Sequence, residues 1–143
     1  MKNKIFNTSS TPTLIPRLVV GLIFLSEGFQ KFISPDAVGA GRFGKIGFTQ
    51  PEFWANLTGA FEIICGILLL IGLLTRLAAI PLFIVMCVAF IKTKFPILID
   101  KGFLAMAHEY RTDFAMTLLL LFLLYFGGGN FSFDKKYFGS EPQ

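Results

Sequence analysis

Charge is sparse in this 143-residue chain: Asp, Glu, Lys and Arg make up 15% of it, against about 25% in ordinary soluble domains. The chain holds one histidine and two cysteines. A single histidine cannot supply the two Glu-x-x-His motifs of a carboxylate-bridged metal site in a helical bundle. His108-Glu109 begins like the zinc-protease signature, but Thr112 stands where its second histidine belongs. No metal site is therefore expected. Cys65 and Cys87 lie 22 positions apart inside apolar runs and form neither a CxxC nor a zinc pattern. They read as small buried hydrophobes unless two helices bring them together. Gly39-Ala40-Gly41-Arg42-Phe43-Gly44 matches G-x-G-x-x-G, but it follows an apolar run that is no strand, so a flexible loop is expected there. A Ser-His-Asp arrangement and a P-loop are both missing. The formal charge of +4 is spread singly between apolar runs, which argues against nucleic acid and suits anchors at lipid headgroups.

Apolar residues are abundant: AVILMFWYC make up 54% of the chain, with 18 phenylalanines, and the mean hydropathy is +0.67. That excludes disorder and exceeds what a small soluble domain can bury. Four apolar runs stand out, at about 14–33, 53–74, 77–95 and 108–126. Each approaches the roughly 20 residues that a spanning helix needs. Lipid leaves backbone groups unsatisfied unless the segment is helical or the strands close into a barrel, and continuous runs without alternation argue against the barrel. The expected fold is all-α, an integral membrane four-helix transmembrane bundle, with residues 1–143 forming one domain. Pro96 is expected to end the third helix and Gly127-Gly128-Gly129 the fourth. Thr75-Arg76 is expected to form a tight turn, and Gly59, Gly66 and Gly72 to serve close helix packing. No A-x-A-like cleavage site follows the first run, so that span is expected to be retained.

An even number of spans puts both termini on one side, with Lys2, Lys4, Arg17, Arg76, Lys135 and Lys136. The opposite side carries Lys31, Arg42, Lys45, Lys92, Lys94, Lys101 and Arg111. If Lys31 and Arg111 are paired inside the bundle, the balance favours cytoplasmic termini in a bacterial inner membrane. Glu27, Lys31, Glu62, His108, Glu109, Arg111 and Asp113 all fall in the membrane half facing the longer loops. Intramembrane polar groups face a bundle interior or a wet cavity, so a polar pocket open on that side is expected, not a through-going channel. Glu27 and Lys31, four apart, are spaced to pair. The alternative is a set of ion pairs that only fixes helix register.

The run Arg17-Leu-Val-Val-Gly-Leu-Ile-Phe-Leu, then Gly28-Phe-Gln-Lys31, Arg42-Phe-Gly-Lys-Ile-Gly, Pro51-Glu-Phe-Trp and Gly59-Ala-Phe-Glu62 resembles the DoxX family. The series continues in Leu70-Ile-Gly-Leu-Leu-Thr-Arg76, Met106-Ala-His-Glu-Tyr-Arg-Thr-Asp-Phe114 and the closing Gly-Gly-Asn-Phe-Ser-Phe-Asp134. The resemblance implies a four-helix bacterial membrane protein, with Glu62, Arg76 and Asp113 at family-like polar positions. Some members are subunits of thiosulfate:quinone oxidoreductase or belong to oxidoreductase complexes, while distant eukaryotic relatives handle receptors and cargo without redox chemistry.

The leading expectation is an accessory redox role with a quinone in the pocket. Glu62 and Asp113 are the candidate proton carriers, and Glu27, Lys31, His108, Glu109 and Arg111 the candidate ligand contacts; Arg76 is structural. No residue set suits flavin, haem or an iron–sulfur cluster, so electrons would come from a soluble or membrane redox partner. A non-catalytic scaffold for a partner membrane protein is the alternative. A small-solute transporter is less favoured, because inverted repeats and broken helices are missing. A homo-oligomer is compatible with either reading.

Overall fold

A computed structural model describes residues 12–138 and is all-helical, with no strand among the described residues. Lys2 and Lys4 of the terminal side lie outside the described residues. The long helices are α1 (Leu14–Ile33), α3 (Pro51–Ile71), α4 (Thr75–Lys101) and α5 (Phe103–Phe126), with short helices α2 (Ala40–Lys45) and α6 (Phe133–Phe138). Two of these, α3 and α4, are long and apolar enough to cross a membrane. In the other two long helices three charges interrupt the apolar stretch, Arg17, Glu27 and Lys31 in α1 and Glu109, Arg111 and Asp113 in α5, whereas those of α4 gather toward its ends. Large apolar side chains cover the outside, among them Ile33 at 76% and Leu104 at 82% exposure. An apolar exterior on this scale needs an apolar surrounding.

Several boundaries differ from those expected, each for a local reason. Pro96 does not end its helix; the chain widens into a π turn over Phe90–Lys94 and continues as α-helix through Lys101. Proline lacks the N–H for a regular bond and crowds the carbonyl four residues back, and a wider turn accommodates both defects. The hydroxyl of Thr93 donates to the Ala89 carbonyl at 2.6 Å, satisfying an acceptor in the same stretch. The break comes at Gly102, φ +85°, and α5 starts at Phe103, five residues before His108. The Gly39–Gly44 motif, expected as a flexible loop, folds into α2 and packs on α3.

The connection between α3 and α4 is Gly72–Leu74, and Thr75 already belongs to α4. Gly72 is the left-handed cap of α3 at φ +72°, and it also packs closely, since a Cβ there would lie 2.7 Å from the Arg17 guanidinium of α1. Leu74 takes φ +50°, a strained conformation for a leucine. The Asp134 carboxylate holds it there, accepting the N–H of Leu74 at 2.6 Å and of Thr75 at 2.9 Å.

Helices α1 and α3 pack through glycines. A Cβ on Gly28 would lie 2.8 Å from the Gly59 carbonyl oxygen, and one on Gly66 would lie 3.0 Å from that of Gly21. Helices α4 and α5 form the second close pair. The apolar core joins the two pairs at the Gly72–Leu74 end, around Val20, Leu69, Ala79, Leu82, Leu120 and Leu123. Both cysteines are free, Cys65 buried in that core and Cys87 exposed.

Candidate functional site

At the end opposite the core, the helix pairs enclose a cavity of about 700 Å³. Its walls come from the C-terminal half of α1, the N-terminal half of α3, the middle of α4 from Pro81 to Thr93 and the first part of α5, with Arg42 and Phe43 contributed by α2. Phe24, Phe43, Phe48, Trp54, Phe61 and Met116 give an apolar lining, and Glu27, Lys31, Arg42, Glu62, Lys92 and Asp113 supply charge.

The centre of the polar part is a buried ion pair between helices. The Lys31 ammonium on α1 donates to Glu62 Oε2 on α3 at 2.7 Å, and both side chains are buried. Glu27, one turn before Lys31, is 4.0 Å away and half exposed. Lys31 therefore belongs to Glu62 first, and the expected Glu27–Lys31 pair is its secondary contact. Across the cavity, Lys94 pairs with Asp113 at 3.4 Å. The π turn positions this side: Lys92 and Thr93 line the cavity while Lys94 reaches Asp113.

Of the expected pocket residues, the structure brings together Glu27, Lys31, Glu62 and Asp113. It does not bring in His108, Glu109 or Arg111, which are exposed and line no part of this cavity. They lie on the exposed side of α5, where the Arg111 guanidinium stands 3.4 Å from the His108 ring. Arg111 is therefore not paired inside the bundle; Lys94 takes that place. Arg76 donates to the Tyr125 carbonyl at 2.7 Å, tying the start of α4 to the end of α5. Sequence reasoning missed Arg42, Lys92 and Lys94, whose run between apolar segments looks like ordinary headgroup anchoring. No cluster of three or more His, Cys, Asp or Glu suited to a metal ion occurs among the described residues.

The closed end holds a second polar centre. Arg17, 2% exposed, donates to the carbonyls of Leu69 at 3.1 Å, Gly128 at 2.6 Å and Phe131 at 2.7 Å. The Thr13 hydroxyl shares the Gly128 carbonyl. One side chain of α1 thus fastens the end of α3 and the loop after α5.

The profile of the DoxX family matches residues 13–94. The chain is similar to an uncharacterized membrane protein of Mycobacterium tuberculosis, 48% identical over 140 residues, covering 93% of this chain and 86% of that protein. An uncharacterized protein of Haemophilus influenzae is 31% identical over 124 residues, 85% of this chain and 87% of its own. A Bacillus subtilis protein named "Putative oxidoreductase CatD" is 37% identical over 68 residues, 48% of each chain. No solved structure matches.

Proposed function

The chain belongs to the DoxX family of membrane proteins, and from that premise we propose that it is the quinone-binding membrane component of a bacterial redox system. In this reading α1, α3, α4 and α5 all cross the cytoplasmic membrane as a four-helix bundle, with both termini on the cytoplasmic side. Charges on α1 and α5 are tolerated because Lys31, Glu62, Lys94 and Asp113 pair across the interior.

The carrying observation is the roughly 700 Å³ cavity with an aromatic wall and a buried Lys31–Glu62 pair. These residues fit a quinone: an aromatic slot for the ring, an ammonium donor for a carbonyl oxygen, and carboxylates able to hold a proton. A bound quinone would supply two-electron chemistry, and a partner protein the electrons. The chain's own part is to hold the ring, exclude water with its phenylalanines, and keep a proton at Glu62 or Asp113. The name of the Bacillus subtilis relative is in keeping with redox chemistry.

The test uses Trp54, which is the chain's one tryptophan and lies in the cavity wall. Titration of the detergent-solubilised full chain with a short-tailed menaquinone analogue should quench its fluorescence saturably. Glu62→Gln should weaken the effect about tenfold through loss of a charge-assisted contact. Absence of saturable quenching, together with a stoichiometric co-purifying membrane protein, would replace this reading with the scaffold.

A further inference from the structure

Charge in the cavity is paired at depth and unpaired at the mouth. Glu62 is engaged by Lys31 and Asp113 by Lys94, while Glu27 lies 4.0 Å from Lys31. Arg42 and Lys92 line the same cavity yet form no ion pair with a carboxylate among the described residues. Basic side chains with nothing to bind normally extend toward headgroups. Lys92 does not: its ammonium lies 5.3 Å from the centroid of the Phe48 ring. Phe48 continues an aromatic row, 5.0 Å from Phe43 on one side and 6.1 Å from Trp54 on the other. Arg42 precedes Phe43 in α2. The mouth is thus a platform of aromatic rings with one cation, Lys92, over a ring and a second, Arg42, in the same cavity lining.

We infer that this mouth selects a ring compound bearing an anionic head, a carboxylate or an ionised ring hydroxyl, over a neutral compound of the same shape. The inference rests on the proposed binding of a quinone-like ring in the cavity and adds the charge of the preferred ligand. Rings stack offset on Phe and Trp faces, which fits the body of such a molecule. The two cations attract its head more strongly at the edge of an apolar cavity than in open water, and a guanidinium can hold a carboxylate with two parallel bonds. A neutral ring gains the stacking alone.

Two naphthoquinones separate the contributions: lawsone, whose ring hydroxyl is ionised at neutral pH, and menadione, its uncharged methyl counterpart. Both are titrated against the full chain in neutral detergent with Trp54 quenching as the readout. Lawsone should bind about tenfold more tightly than menadione, and the preference should shrink as salt screens the mouth. The double variant Arg42→Gln/Lys92→Gln should bring lawsone to the level that menadione shows on the same variant, so that the preference between the two is lost. Equal affinities in the unmodified chain overturn the inference while leaving the quinone cavity standing, as does a preference that survives the double variant. Failure of both compounds to quench saturably overturns the cavity reading itself.

Discussion

The Lys31 ammonium has two carboxylates within reach, and distance ranks them: Glu62 at 2.7 Å on the neighbouring helix, Glu27 at 4.0 Å on its own. Burial makes the closer pair conditional, because either ion alone would be left desolvated without its partner. Removing one member of such a pair typically costs about 3–5 kcal/mol, whereas replacing both with apolar residues is often neutral. Lys31→Met should therefore lower the thermal midpoint of the detergent-solubilised protein clearly. Lys31→Met/Glu62→Met should recover most of that loss without restoring quinone quenching of Trp54. If the double variant keeps full quenching, the pair only fixes register. The local half of this site was legible in the sequence, since Glu27 and Lys31 are one helical turn apart. Glu62 as the principal partner was not, because no spacing within a chain reports which faces of two helices meet. Arg42 and Lys92 were illegible for a related reason: a basic residue beside an apolar run looks the same whether it meets lipid or a cavity.

Helix existence followed from long apolar runs, and α1 spans the expected residues Leu14–Ile33. Helix ends followed less well, because proline and glycine act through the turn around them. Pro96 sits in a continuing helix because the π turn before it removes the need for its missing N–H. That turn also carries Lys92, Thr93 and Lys94, so a local backbone adjustment has a direct consequence for the cavity wall. The pairing of α1 with α3 depends instead on missing side chains. At Gly28 a Cβ would meet the Gly59 carbonyl oxygen at 2.8 Å and Ile63 Cγ1 at 2.7 Å, both within the closest part of the contact. Gly28→Val adds branches at that crowded point and should separate the helices at a cost of about 1–3 kcal/mol, the usual range for overpacking. The separation would also move Lys31 from Glu62, so quinone quenching should weaken with stability. Thermal unfolding and the Trp54 titration on one sample check both effects, and a fully stable Gly28→Val would refute the close packing.

Across the whole molecule the two ends divide their work. The cavity end is splayed, aromatic and charged; the other end is closed by the apolar core and by Arg17. Arg17 reaches carbonyls at the end of α3 and in the loop after α5, while Asp134 in α6 caps the start of α4. These two residues join α1, α3, α4 and the C-terminal segment at one level of the bundle. Their location at a rim hid this arrangement in the sequence, where Arg17 and Asp134 are 117 positions apart and look like solvated ends. Arg17→Met keeps much of the side-chain volume but removes the guanidinium donor from the Phe131 carbonyl and leaves the Gly128 carbonyl to the Thr13 hydroxyl alone. The expected loss is about 3 kcal/mol or more, from several bonds to a charged donor at a buried position. Stability and ligand preference should then separate by location. Arg17→Met should lower the thermal midpoint strongly while menadione quenching persists below it. Arg42→Gln/Lys92→Gln should leave the midpoint nearly unchanged, since exposed charges contribute little to stability, and remove the preference for lawsone over menadione. Thermal scans of both variants with and without ligand decide the matter. If Arg17→Met abolishes menadione binding in still-folded protein, the two ends are coupled and the division fails.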